Sequence, residues 1–132
     1  MVDEKLELAR ECGADWVGRE KPERAHVAIV TAASAKAYEA ALKGLRRGGT
    51  LMVVGMPVEP FPVPAVRMVS GEYRIMGSAV GTRQDLRELL DLAARGLVRC
   101  RHRVVPLEQA QAALDQLREG VVSGRIVLTV SG

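Results

Sequence analysis

The sequence predicts an α/β fold organised around a parallel sheet, and three observations carry the prediction. His26–Thr31 is a short apolar run, Ser34–Arg47 has helical spacing, and Thr50–Val54 is a second apolar run, bounded by Gly48, Gly49, Gly55 and Pro57. Strand, crossover helix and strand make a βαβ unit, whose strands lie parallel. The alternation then continues, with a strand at Tyr73–Met76 and a helix from Thr82 to Gly96. In open sheets of this kind ligands bind in the crevice beyond the carboxyl ends of the strands. Those ends are Thr31–Ser34 and Gly55–Pro57.

The elements follow in order. Asp3 is placed to cap a helix over Glu4–Cys12, closed by Gly13. Asp15–Arg19, with Trp16, is a strand candidate, and Glu20–Arg24 reads as a charged loop around Pro22. After the first strand, Ser34 caps a helix whose stripe is Tyr38, Ala41, Leu42 and Leu45. Arg46 and Arg47 suit that helix's C-terminal dipole, and Gly48 ends it. The unbroken apolar run of Thr50–Val54 predicts a strand covered on both faces. Pro57, Pro60, Pro62 and Pro64 make the next stretch a loop, with a short helical turn at Ala65–Ser70. Thr82–Asp85 is a capping-box pattern, followed by the stripe Leu86, Leu89, Leu90 and Ala93. Arg99–Val105 reads as an extended connector. A helix after Pro106, carrying Ala110, Ala113, Leu114 and Leu117 on one face, leads to a last strand at Arg125–Val130.

Composition bounds the function. The chain has 132 residues, 48% apolar and 27% charged, with a net charge of +3. Such a mild, mixed charge argues against nucleic acid, and the basic run Arg99–Arg103 reads as solvated surface. No signal-peptide core and no membrane-length apolar run is present, so a cytoplasmic protein is expected. Cys12 and Cys100 form neither a disulfide framework nor a zinc signature, and are expected to be reduced and partly buried.

Five segments in one order carry a resemblance: His26-Val-Ala-Ile-Val-Thr-Ala-Ala-Ser, Leu45-Arg-Arg-Gly-Gly-Thr, Val53-Val-Gly-Met-Pro, Met76-Gly-Ser-Ala-Val-Gly-Thr-Arg-Gln-Asp-Leu and Ser123-Gly-Arg-Ile-Val-Leu. Together they resemble the C-terminal part of zinc-dependent medium-chain alcohol dehydrogenases, closest to the bacterial propanol-preferring branch. The resemblance implies the second half of a Rossmann-like, doubly wound parallel sheet. It places a partial dinucleotide-binding domain at residues 1–104 and a segment returning to the catalytic domain at 105–132. It also implies NAD as cofactor, hydride transfer and a short primary alcohol as substrate.

The same comparison marks what this stretch does not carry. The family's zinc ligands match neither Cys12 nor Cys100, nor either histidine, so no catalytic or metal residue is assigned. No GxGxxG turn occurs. Asp3 stands too close to Lys5 to match the ribose-binding acid and is better read as a helix cap. The resemblance assigns cofactor contacts to Lys5, Thr31, Val54, Gly55, Ser78, Val80 and Arg125. Lys5 would lie near the adenosine, or be a solvated helix lysine. Thr31 ends the first strand, or is a buried hydroxyl bonded to backbone. Val54 and Gly55 would line the nicotinamide, with a plain strand-ending glycine as the competing account of Gly55. Ser78 and Val80 would offer backbone groups to the carboxamide. Arg125 would approach phosphate, or be a surface arginine at a strand start.

The expected product is therefore a fragment, inactive alone and weak or null in cofactor binding. The alternative is a non-enzymatic oligomerisation or binding module. The first sheet strand should have an open edge, filled by the strand near Trp16, by the last strand or by a second copy. A homodimer through the strand near Tyr73–Ser78 is expected, with a separately encoded N-terminal half as a further partner.

Overall fold

The computed structural model describes residues 3–18 and 24–130. The elements are α1 (Asp3–Glu11), β1 (Ala25–Val30), α2 (Ala35–Gly44), β2 (Leu45–Val53), α3 (Ala65–Gly71), β3 (Arg74–Gly77), α4 (Arg83–Ala94), β4 (His102–Pro106), a 3₁₀ turn (Leu107–Gln109), α5 (Ala110–Arg118) and β5 (Arg125–Thr129). They fall into two compact units, Glu20–Gly81 on one hand and Met1–Arg19 with Thr82–Gly132 on the other.

The first unit is a three-stranded parallel sheet in the order β1-β2-β3. Its core is Val30, Tyr38, Leu42, Leu45 and Leu51, with Ala28, Val53, Phe61, Tyr73 and Ile75 packed around them. Burying each of the larger aliphatic side chains contributes about 1.5–3 kcal/mol. The Tyr38 ring stacks on Phe61 with centroids 4.7 Å apart, which fixes the proline-rich loop to the helix. Ala28, Val30, Leu51, Val53 and Ile75 face this core. The opposite face carries Val27, Ile29 and Met76, all exposed. The predicted cover on both faces of β2 is therefore corrected: among the described residues one face is packed, and Met52 on the other is only half-buried.

The α2–β2 boundary is also corrected. The helix stops at Gly44 and the strand starts at Leu45, so Arg46 and Arg47 lie in the strand. Tertiary contacts override the helical spacing here. Leu45 is fully buried, the Tyr73 hydroxyl donates to its carbonyl at 3.4 Å, and Arg47 pairs with Glu72 at 2.7 Å. Arg67 supplies a cation near the helix end instead, donating to the Leu42 carbonyl at 3.3 Å. Between the pairs Ala25–Leu45 and Val27–Thr50 the register shifts, and β2 bulges through Gly48, whose φ of 73° suits glycine.

The second unit contains a parallel pair, β4 and β5, with the 3₁₀ turn and α5 as the crossover. The expected connector Arg99–Val105 is thus largely a strand. Its basic residues hid it, because its partner Arg125–Thr129 lies more than a helix away in sequence. Helix α1 is tied in by Lys5, whose Nζ donates to the Gly120 carbonyl at 2.9 Å, and by the Glu11–Arg101 ion pair at 3.3 Å. Residues 14–18 form no strand and Trp16 is half-exposed; the apolar residues between Gly13 and Gly18 are interrupted by Asp15, which leaves Trp16–Val17 too short a run to pair. The charged loop expected at Glu20–Arg24 lies outside the described residues apart from Arg24, as does the Asp3 side chain.

Helix α4 has the predicted capping box. The Asp85 backbone N–H donates to the Thr82 hydroxyl at 3.2 Å, and the Asp85 carboxylate accepts from the Thr82 N–H at 2.6 Å. That backbone hydrogen bond, with the Thr82 hydroxyl, holds the Asp85 carboxyl below the usual aspartate range. The stripe Leu86, Leu89 and Leu90 is present but exposed. Cys12 and Cys100 are both exposed, not partly buried, because Cys12 lies in the turn after α1 and Cys100 in the irregular segment before β4, neither on a core face. Among the described residues β1 and β3 each pair only with β2. Since β5 pairs with β4 and no strand forms near Trp16, neither of these fills the β1 edge.

Candidate functional site

The parallel register brings the strand ends to one level. Val30, Val53 and Gly77 are lateral neighbours, so the residues that follow them form a rim. The rim carries the ladder one step further. The N–H groups of Val54 and Gly55 donate to the Val30 carbonyl at 3.1 and 2.9 Å, and the Ser78 N–H donates to the Val53 carbonyl at 2.9 Å. Thr31, Val54 and Ser78 are exposed along this rim. Thr31 is therefore not a buried hydroxyl bonded to backbone.

Gly55 occupies a place where only glycine fits. A Cβ there would stand 2.5 Å from the Ala32 oxygen and 2.8 Å from the Thr31 oxygen. Its missing side chain is thus accounted for by the close approach of the β1–α2 loop. The Tyr38 hydroxyl donates to the Gly55 carbonyl at 2.5 Å, with the Val30 carbonyl 3.2 Å away. One buried hydroxyl so ties the ends of β1 and β2 to the helix between them. Sequence reasoning placed Tyr38 only in the core stripe. Its polar end was the available signal, since a buried tyrosine hydroxyl seeks a partner.

Helix α2 starts beside this rim. The Ser34 carbonyl accepts from the N–H groups of Ala37 and Tyr38 at 3.0 and 3.3 Å, while its hydroxyl makes no capping bond. A cleft of about 360 Å³ lies there, lined by Ser34, Lys36, Pro57, Val58 and Glu59. At the far end of the rim, Val80 is fully exposed with φ 42°, a left-handed backbone that β-branched residues avoid. Such strain costs of order 1–3 kcal/mol and gathers at ligand sites.

Lys5 and Arg125 belong to the other unit. Lys5 is engaged with the Gly120 carbonyl, so it is more than a solvated helix lysine. Arg125 opens β5, where its N–H donates to the Arg101 carbonyl at 3.0 Å and its guanidinium donates to the Gly124 carbonyl at 3.1 Å. Among the described residues no three His, Cys, Asp or Glu side chains gather as a metal site, and no helix is long and apolar enough to cross a membrane. The rim offers the Thr31 and Ser78 hydroxyls, the backbone around them and the exposed apolar side chain of Val54. Those suit binding and orienting a planar polar group, and include no nucleophile–base pair.

Residues 1–95 match the family described as zinc-binding dehydrogenase. An alcohol dehydrogenase of Geobacillus stearothermophilus is 42% identical over 140 residues, covering 97% of this chain and 41% of its own length. One from Moraxella sp. (strain TAE123) is 48% identical over 104 residues, covering 79% of this chain and 31% of its own length. The crystal structure of the alcohol dehydrogenase from the hyperthermophilic archaeon Aeropyrum pernix superposes with a TM-score of 0.89 at 32% identity, over 98% of this chain and 41% of that one. The chain thus spans about two fifths of the length of the first of these relatives. The parallel α/β architecture is that of the matched Rossmann-like half.

Proposed function

This chain belongs to the zinc-binding dehydrogenase family, and from that premise we propose that it is the C-terminal part of an NAD-dependent alcohol dehydrogenase acting on short primary alcohols. The observation that supports the reading is the in-register rim, where Thr31, Val54, Gly55 and Ser78 follow three parallel strand ends. Residues 1–104 are the remaining dinucleotide-binding part, and 105–132 the segment that returns to the catalytic domain.

The nicotinamide cofactor supplies the hydride acceptor when bound. On this reading the chain's own residues hold and orient it. Val54 would line the nicotinamide ring, and Gly55 lets the Ala32 carbonyl approach the strand end beside it. Backbone groups of Ser78 and Val80 would hold the carboxamide and so orient the ring. Thr31 offers a hydroxyl beside them. By family resemblance alone, Arg125 would contact phosphate through its fork of donors and Lys5 would contact the adenosine. The described residues do not form a zinc site, so no step of alcohol activation is assigned to them.

The chain alone is therefore expected to bind NAD only at millimolar concentration and to leave alcohols unoxidised. The dimer is assigned to the free edge of β3, within Tyr73–Ser78. A second reading, a self-associating module without enzymatic activity, is favoured by the exposed Val27, Ile29 and Met76 on the unpacked sheet face. Calorimetric titration with NAD and a zinc-supplemented alcohol oxidation assay test the proposal. Micromolar affinity or turnover by the purified chain would overturn the expectation of a weak, inactive part.

A further inference from the structure

Val54 and Gly55 stand on the rim with little side-chain packing to hold them. Val54 is 41% exposed and Gly55 has no side chain. Their position therefore rests on main-chain hydrogen bonds. The N–H groups of both residues share the Val30 carbonyl, at 3.1 and 2.9 Å, and the Gly55 carbonyl accepts from the Tyr38 hydroxyl at 2.5 Å. That hydroxyl lies 3.2 Å from the same Val30 carbonyl. Two bonds from the ladder and one from a side chain thus meet beneath the dipeptide. Tyr38 is itself firmly held. It is fully buried on α2, Leu42 lies one turn further along in the same core, and its ring stacks on Phe61 at an interplanar angle of 14°.

We propose that Tyr38 is a positioning residue for the nicotinamide site: its hydroxyl, acting through the Gly55 carbonyl, holds Val54 in the place where it lines the ring. The proposal rests on the reading of the rim given above. Tyr38 touches no ligand and works from the inner side of the sheet end. The Gly55 carbonyl belongs to the peptide group shared with Met56, so a donor fixed beneath it sets the rotation of that peptide and the direction in which the chain leaves Val54. Phenylalanine at position 38 keeps the ring stack but deletes the donor. The carbonyl then turns toward water to regain a partner, because an unpaired buried acceptor is costly. The arrangement that receives the ring is then populated only in part, and the apparent Kd rises by the inverse of that fraction.

The test titrates nicotinamide mononucleotide into the full chain as wild type, Tyr38→Phe and Phe61→Leu, following backbone amide shifts where hydrogen exchange shows the sheet of each to be folded. Phe61→Leu weakens the same core but keeps the hydroxyl bond, so it reports what a merely structural role would do. Tyr38→Phe should raise the Kd at least about threefold and move the ligand-free amides of Val54, Gly55 and Met56, while Phe61→Leu stays within about twofold of wild type. Equal affinity in Tyr38→Phe and wild type, or equal weakening in both variants, would overturn the positioning role and leave the rim as the site. A wild-type rim unmoved by saturating ligand would overturn the reading of the rim, and the positioning role with it.

Discussion

Replacing Gly55 by alanine separates two reasons for a glycine at the end of β2. If the residue serves the loop, the cost appears without any cofactor. The added Cβ would meet the Ala32 oxygen at 2.5 Å, the Ala32 carbonyl carbon at 2.6 Å and the Thr31 oxygen at 2.8 Å, all backbone atoms with little freedom to retreat. Overpacking of this kind costs about 1–3 kcal/mol. The loop's retreat also strains the ladder to the Val30 carbonyl and the Tyr38–Gly55 bond. The stiffer unfolded chain returns about 0.4–1 kcal/mol. A net loss of roughly 1–2 kcal/mol is expected. Amide hydrogen exchange at Leu51 and Val53 reads it directly, because their protection follows opening of this sheet and not of the other unit. Unchanged protection combined with lost NAD binding would refute the packing argument and leave ring access as the glycine's role.

Tyr38→Phe should lower protection of the same amides by about 1–2 kcal/mol, since it orphans the Gly55 carbonyl while the Val30 carbonyl keeps its two N–H donors; no change would mean that the hydroxyl bond is not formed in solution. Thr82→Ala removes the capping box and should cost about 1 kcal/mol in the unit containing α4, measured by exchange of the first-turn amides. The same cap sets a pH dependence. A carboxyl whose folded pKa is lowered stabilises above its unfolded value and loses that contribution as pH falls through the lowered folded value. Protection of α4 should therefore decline on acidification below the usual aspartate range, and Thr82→Ala should reduce that decline only in part, because the larger contribution, the Thr82 backbone N–H, remains. Sedimentation equilibrium is expected to show a dimer, and a monomer at high concentration would remove the role given to the β3 edge.

Local chemistry made much of the fold legible. The capping box, the glycine ends at Gly13 and Gly96 and the stripe containing Tyr38 and Leu42 all act over a few residues and stand where expected, whereas Gly48, expected to end α2, lies inside β2. What stayed hidden depends on distant partners. Leu45 fits a helical stripe and a buried strand equally well, and only the contacts with Tyr73 and the β1 register decide between them. His102–Val105 has no apolar alternation of its own strong enough to declare a strand, and becomes one through β5. At the rim, the ends of β1 and β2 were readable from the βαβ pattern, while Ser78 and Val80 were named only through the family resemblance. The reason for Gly55 was not, because the Ala32 carbonyl that crowds it belongs to another strand's loop.

The central claim is that the rim beyond β1, β2 and β3 is the nicotinamide end of a divided cofactor site. Amide chemical-shift mapping with nicotinamide mononucleotide tests it most directly, because that ligand lacks the adenosine half. The account predicts millimolar binding with shifts confined to Thr31, Val54, Gly55, Ser78 and Val80. Shifts centred elsewhere, or an unmoved rim at saturating ligand, would contradict it.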